Sequence, residues 1–110
     1  MAVRPALTVL VMDDCPTAEI LLAGDLDATA DSALAEVVAG ILIDPQVLRI
    51  EVDVAGLAYA DACGVAALFR VQQRAANFGV RLRLVRVRPP LHRILDCAEV
   101  WRSLADPEQG

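Results

Sequence analysis

The chain has 110 residues, 56% of them hydrophobic and 23% charged, which is the size of one folding unit around one core and not the composition of a disordered chain. Fifteen acidic residues against ten basic ones, all ten of them arginine, set a formal charge of -5 that works against nonspecific nucleic-acid binding. The longest apolar stretches, such as Val37 to Ile43 and Val9 to Met12, are far shorter than the roughly 18 to 20 residues that span a bilayer, so no membrane insertion is expected.

The pattern of the chain opens with a β-prone run, Leu7 to Met12, read as an edge strand that ends in the turn-rich Asp13 to Thr17. Glu19 to Ala23 is a second strand, stopped by Gly24, and the two form an antiparallel hairpin with a medium loop. Beyond Asp27 the period lengthens. Leu34, Val37, Val38, Ile41 and Leu42 make a helical stripe, capped by Asp27 or Thr29 and closed by Pro45. Val47 to Val54 alternates as a strand, with Leu48, Ile50, Val52 and Val54 on one face and Arg49, Glu51 and Asp53 on the other.

A loop from Ala55 to Gly64 leads into a second helix, marked by Val65, Leu68, Phe69 and Gln72, that runs to about Phe78 and is closed by Gly79. Val80 to Val87 is a further strand. Pro89 and Pro90 open a third helix with Leu91, Ile94, Leu95 and Ala98 on its inner face, and the tail after Leu104 is frayed. The order β-β-α-β-α-β-α makes this an α/β protein: a mixed sheet of four to five strands with a parallel core, and three to four helices. Residues 1–110 form a single domain with its core over about 7–104.

In such sheets the loops after the parallel strands gather along one edge. That edge presents Asp25, Asp27, Asp61 and Cys63, with Arg86 and Arg88 beside them. Three cysteines, Cys15, Cys63 and Cys97, at irregular spacing with a single histidine, His92, argue against a disulfide framework or a metal site. Cys63 at a helix start is a poor nucleophile: a helix terminus contributes about 0.3 to 1 kcal/mol, Asp61 opposes it, and nothing in the spacing brings His92 to it. Its plain reading is a small, partly buried packing residue. Asp25 and Asp27 both precede a helix, where aspartates serve as caps. No glycine-rich phosphate loop occurs, and no cofactor or catalytic activity is expected. Arg81, Arg83, Arg86 and Arg88 read as a solvated sheet face, or as a basic rim for an acidic partner.

Gly24-Asp25-Leu26-Asp27 ahead of a helix, the strand Leu48 to Asp53, and Leu57 to Val65 opening the next helix resemble the STAS domain of bacterial anti-sigma factor antagonists. The resemblance covers about residues 7–104. Its strongest motif is the segment that family writes as Asp-Ser-Ser-Gly or Asp-Ser-Thr-Gly, which here is Asp61-Ala62-Cys63-Gly64. The resemblance implies a cytoplasmic partner-switching regulator, a monomer or weak dimer. Such a domain binds an ATPase-fold anti-sigma factor that is also a serine kinase, and phosphorylation of the residue before the motif glycine turns it off. It also implies a partner-binding surface on Asp25, Asp27, Tyr59, Asp61, Ala62, Cys63 and Gly64, with Cys63 at the phospho-acceptor position. Neither Ala62 nor Cys63 carries a hydroxyl, so the usual switch is absent; Thr29 and Ser32 are the remaining hydroxyls near that edge. Two alternatives keep the fold: a structural subunit of a lipid-transport or sensory complex, and a redox-responsive module in which Cys63 is oxidised.

Overall fold

The structure, a computed structural model, describes residues 7–89. Its elements are β1 (Leu7–Asp14), β2 (Thr17–Leu26), α1 (Ala30–Leu42), β3 (Arg49–Ala60), α2 (Ala62–Asn77) and β4 (Arg81–Val85). They build one four-stranded sheet in the order β1-β2-β3-β4. β1 pairs antiparallel with β2, while β2, β3 and β4 run parallel, as α/β alternation requires. The helix expected beyond Pro89, with His92, Cys97 and Trp101, lies outside the described residues.

Alternation along the strands sorts the side chains to two faces. Ala18, Ile20 and Leu22 of β2, Ile50, Val52 and Val54 of β3, and Leu82 and Leu84 of β4 point into the core, where Leu34 and Val38 of α1 and Val65, Leu68, Val71 and Ala75 of α2 meet them. Gln72 also faces inward. It is buried, and its side-chain amide donates to the Leu82 carbonyl at 3.4 Å. Val47, not Leu48, is the buried residue before β3; Leu48 is 59% exposed, because it precedes the strand and the alternation begins only at Arg49.

The other sheet face carries charge. Arg83 pairs with Glu51 at 2.8 Å, and Arg86 bridges Asp53 at 2.6 Å and Glu19 at 3.7 Å. Arg88 donates to the Ala55 carbonyl at 3.4 Å. Within the arginine series, Arg83 and Arg86 are therefore members of a cross-strand ladder on a solvated face, met by carboxylates of the neighbouring strands, and Arg88 is held by a backbone carbonyl.

The strands are longer than their apolar runs. β1 and β2 extend to Asp14 and from Thr17, so the hairpin is closed by a tight turn at Cys15 and Pro16 and not by a medium loop. At the other end Gly24 does not stop β2. With φ at 102° it sits in a register shift between β2 and β3, a bulge that lets the strand bend and continue to Leu26. β3 follows it, pairing Asp25 with Tyr59 and Leu26 with Ala60, so most of the expected 55–64 loop is strand.

Candidate functional site

The chain passes from β3 to α2 with only Asp61 between them. Asp61 has extended backbone and its carboxylate accepts from the Gly64 N–H at 2.9 Å, satisfying one of the free donors at the start of α2. Its own N–H donates to the Leu26 carbonyl at 3.1 Å, which ties the helix start to the end of β2. Asp61 was expected only at the docking edge; its spacing to Gly64 is the signal that marks it as a cap.

Gly64 is buried where α2 crosses Leu26. A Cβ there would lie 2.1 Å from the Leu26 carbonyl oxygen and 2.7 Å from its Cγ, so only glycine lets the helix approach this closely. Because Gly64 faces inward, the two residues before it face out. Ala62 and Cys63 are exposed on the first turn of α2, and Cys63 is not the partly buried packing residue its size suggests.

Around that turn the structure gathers the acidic residues. Tyr59, 52% exposed, donates its hydroxyl to the second oxygen of Asp61 at 3.2 Å. The Asp61 charge, helped by that bond, by partial burial and by the charges of Asp27 and Asp25, pushes the Tyr59 phenol above its usual range. Asp27 accepts from the Thr29 hydroxyl and from its N–H at 2.9 Å, and these bonds hold the Asp27 carboxyl below the ordinary value. Thr29 occupies the cap position of α1 but makes no side-chain cap bond, so Asp27 shapes the entry to the helix through Thr29. Asp31 on the first turn of α1 pairs with Arg70 in the middle of α2 at 3.1 Å, an exposed tie between the two helices. Asp25, Asp27, Tyr59, Asp61, Ala62, Cys63 and Gly64 thus meet at one edge; Arg86 and Arg88 do not join them, being held over the open sheet face.

Among the described residues the Cys63 thiol has no hydrogen-bonded base. Cys15 lies at the far end of the sheet, in the β1–β2 turn. There its thiol donates to Asp13 at 3.4 Å and Asp44 at 3.5 Å, three candidate ligand atoms within 4.8 Å that the spacing of these residues does not announce. Partial desolvation, with the two carboxylates, pushes this thiol up to about 11 and keeps it a protonated donor. An open cleft of about 460 Å3 lies at that same amino end of the parallel strands, between Leu48, Arg49, Gly79 and Arg81, and contains none of the edge residues.

Fold and edge together define a two-layer α/β domain whose distinctive feature is an exposed helix start behind a buried glycine. A family model described as Mlab, STAS domain matches residues 14–104, and the chain belongs to the STAS domain family. No curated protein sequence matches it. Solved structures of similar fold include an anti-sigma factor antagonist from Mycobacterium paratuberculosis, 16% identical with a TM-score of 0.73 over 89% of this chain and 82% of that one. Another is the Bacillus cell fate determinant SpoIIAA in its phosphorylated form, 17% identical, TM-score 0.67, over 93% and 96% of the two chains. A third is the murine anion transporter Slc26a9, 17% identical with a TM-score of 0.71; there the match covers 83% of this chain and 15% of the transporter. No described helix of this chain is long and apolar enough to cross a membrane.

Proposed function

We propose that this chain is a protein-binding regulator of the anti-sigma factor antagonist type, without enzymatic activity, acting in the cytoplasm. Its partner is an ATPase-fold anti-sigma factor or serine kinase, which docks on Asp25, Asp27, Tyr59, Asp61, Ala62 and Cys63, while the buried Gly64 serves the site by holding their turn against Leu26. The observation that carries this reading is the first turn of α2, where Gly64 is pressed against Leu26 and the residue before it is presented outward among carboxylates. In a switchable domain that residue takes a phosphate, and its bulk and nearly two added charges do not fit a contact arranged for a neutral hydroxyl. Cys63 offers the kinase no hydroxyl, so the domain stays in its binding-competent form.

The test is binding of the purified partner with and without ATP. Wild-type protein binds equally in both conditions; Cys63→Ser binds and is released on phosphorylation; Cys63→Glu binds at least about tenfold more weakly, the cost of burying one unpaired charge in the contact. Stoichiometric phosphate on the wild-type chain, with loss of binding, overturns the reading.

A second reading keeps the edge and changes the partner, to the ATPase or sensory subunit of a standing complex such as a lipid transporter. The lack of a hydroxyl at both Ala62 and Cys63 favours it, since a permanently docked subunit needs no phospho-switch. Co-purification as a fixed stoichiometric complex that Cys63→Ser leaves insensitive to ATP selects this reading over the first. The redox alternative has less support, because Cys15 sits at the opposite end of the sheet as a protonated hydrogen-bond donor.

A further inference from the structure

The two edges of the sheet are built differently. β4 is five residues long, alternates arginine with aliphatic residues, and gives way to Arg86 at a φ of 57°; short, charged and bent edges discourage a further strand. β1 carries charge only at its Asp13–Asp14 end and has none of the other devices. It runs eight residues, carries no charge and no proline from Leu7 to Met12, and keeps an unbroken register with β2 from Leu7 opposite Gly24 to Asp14 opposite Thr17. Among the described residues no strand pairs with its outer row of backbone groups.

The side chains point the same way. Leu10, Val11 and Met12 are 58%, 41% and 51% exposed. Consecutive residues of a strand face opposite ways, so Leu10 and Met12 stand on the open face of the sheet and Val11 on the helix side. A helix or loop laid on either face covers one set and leaves the other in water. A strand added sideways, in the plane of the sheet, covers both.

We propose that β1 pairs antiparallel with β1 of a second copy of this chain, continuing the sheet across a two-fold axis. Charge selects the direction. Parallel pairing sets Asp13 and Asp14 against their own counterparts at about 5 Å. Antiparallel pairing centred on Leu10 carries the two Asp13 residues roughly 20 Å apart, beyond the Debye length of about 8 Å at physiological salt. The same register puts Leu10 opposite Leu10 and Thr8 opposite Met12 on one face, and Val9 opposite Val11 on the other, so every exposed apolar residue of the strand gains a cross-strand neighbour. The arrangement is self-complementary and closes at two copies. It uses none of the residues proposed to bind the regulatory partner.

Sedimentation equilibrium and amide hydrogen exchange on the full chain, across a range of concentrations, test this. A dimer is expected, with β1 amides gaining protection as it forms. Leu10→Lys sets two ammonium groups face to face and raises the dimer dissociation constant at least about tenfold, with unchanged circular dichroism. Met12→Lys repeats the test at a second exposed position, and Phe78→Lys, at the end of α2, leaves the dimer intact. Three results overturn the proposal: a single-chain mass at every concentration, a dimer indifferent to both β1 substitutions, or β1 amides equally protected in a monomer, which assigns the edge to another segment of the same chain.

Discussion

Replacing Gly64 with alanine tests whether the close approach of α2 to β2 holds the candidate site together. The added carbon lies 2.1 Å from the Leu26 carbonyl oxygen, 2.5 Å from its carbon and 2.7 Å from its Cγ. Carbon contacts at rest are about 3.5 to 4.0 Å, so the first turn of α2 must withdraw by roughly 1 Å. Leu26 is wholly buried and part of this collision is with backbone, so the strain cannot be relieved by turning a flexible side chain. Overpacking of this kind costs about 1 to 3 kcal/mol, and stretching the Asp61 N–H bond to the Leu26 carbonyl adds about 1, for a total near 2 to 4 kcal/mol. For a domain of this size that lowers the melting temperature by roughly 10 to 30 °C. Thermal unfolding by circular dichroism reads it directly. Gly40 on α1 is the control: nothing lies within 4 Å of its absent Cβ, and Gly40→Ala stabilises by about 0.5 to 1 kcal/mol through helix propensity. If Gly64→Ala melts within about 2 °C of wild type, the packing argument fails, and with it the reason that residues 62 and 63 face outward.

Further outcomes follow from the same geometry. Asp61→Ala removes the cap of α2 and costs about 1 kcal/mol in denaturant unfolding, whereas Asp61→Asn keeps an acceptor and costs only a few tenths, so a loss of partner binding in the asparagine variant reports charge and not helix fraying. Asp53 is pushed up by partial burial but pulled further down by the Ala55 N–H and by Arg86, so its folded carboxyl lies below the ordinary 3.8. That contribution to stability is present above pH 3.8 and disappears as pH falls through the lowered value; Arg86→Gln returns the Asp53 carboxyl toward 3.8, so the variant should be the less stable protein above pH 3.8 and its unfolding curve should converge on wild type as pH falls through the lowered value. Cys15, with its thiol pushed up from 9.0 to about 11, should alkylate roughly ten- to a hundredfold more slowly at neutral pH than in the unfolded chain, and comparable rates would contradict the Asp13–Cys15–Asp44 arrangement.

The element order, the helical stripes and the alternation of β3 were legible because burial on one face writes a period into the sequence. What escaped was set by contacts between distant segments. Gly24 looks like a strand terminator to any local rule, and only the partner strand shows that it is a bulge within β2. Ala55 to Ala60 mixes small residues with glycine and reads as loop, yet it is strand because β2 continues beside it. Leu48 matched the alternation by one extra position but precedes the first ladder pair, and so remains in solvent. The site residues were found through a motif, and the motif named them without saying what each does. Gly64 turns out to be a packing requirement, Asp61 a helix cap, and Cys63 an exposed residue although cysteines are commonly buried.

The arginine ladder has a consequence for how the molecule meets other proteins. Glu19, Glu51 and Asp53 are answered by arginines on the open sheet face, and Asp31 by Arg70 between the helices. Asp25, Asp27 and Asp61 at the carboxyl-end edge have no such ion pair among the described residues, and neither have Asp13 and Asp44 at the far end, so negative potential gathers at the two ends of the sheet and is not smeared over its open face. Such a field reaches about a Debye length into solvent and turns an approaching cationic surface toward an end of the sheet before contact. Ionic strength would then govern how often a partner arrives in the right orientation, while the close fit around the first turn of α2 governs how long it stays.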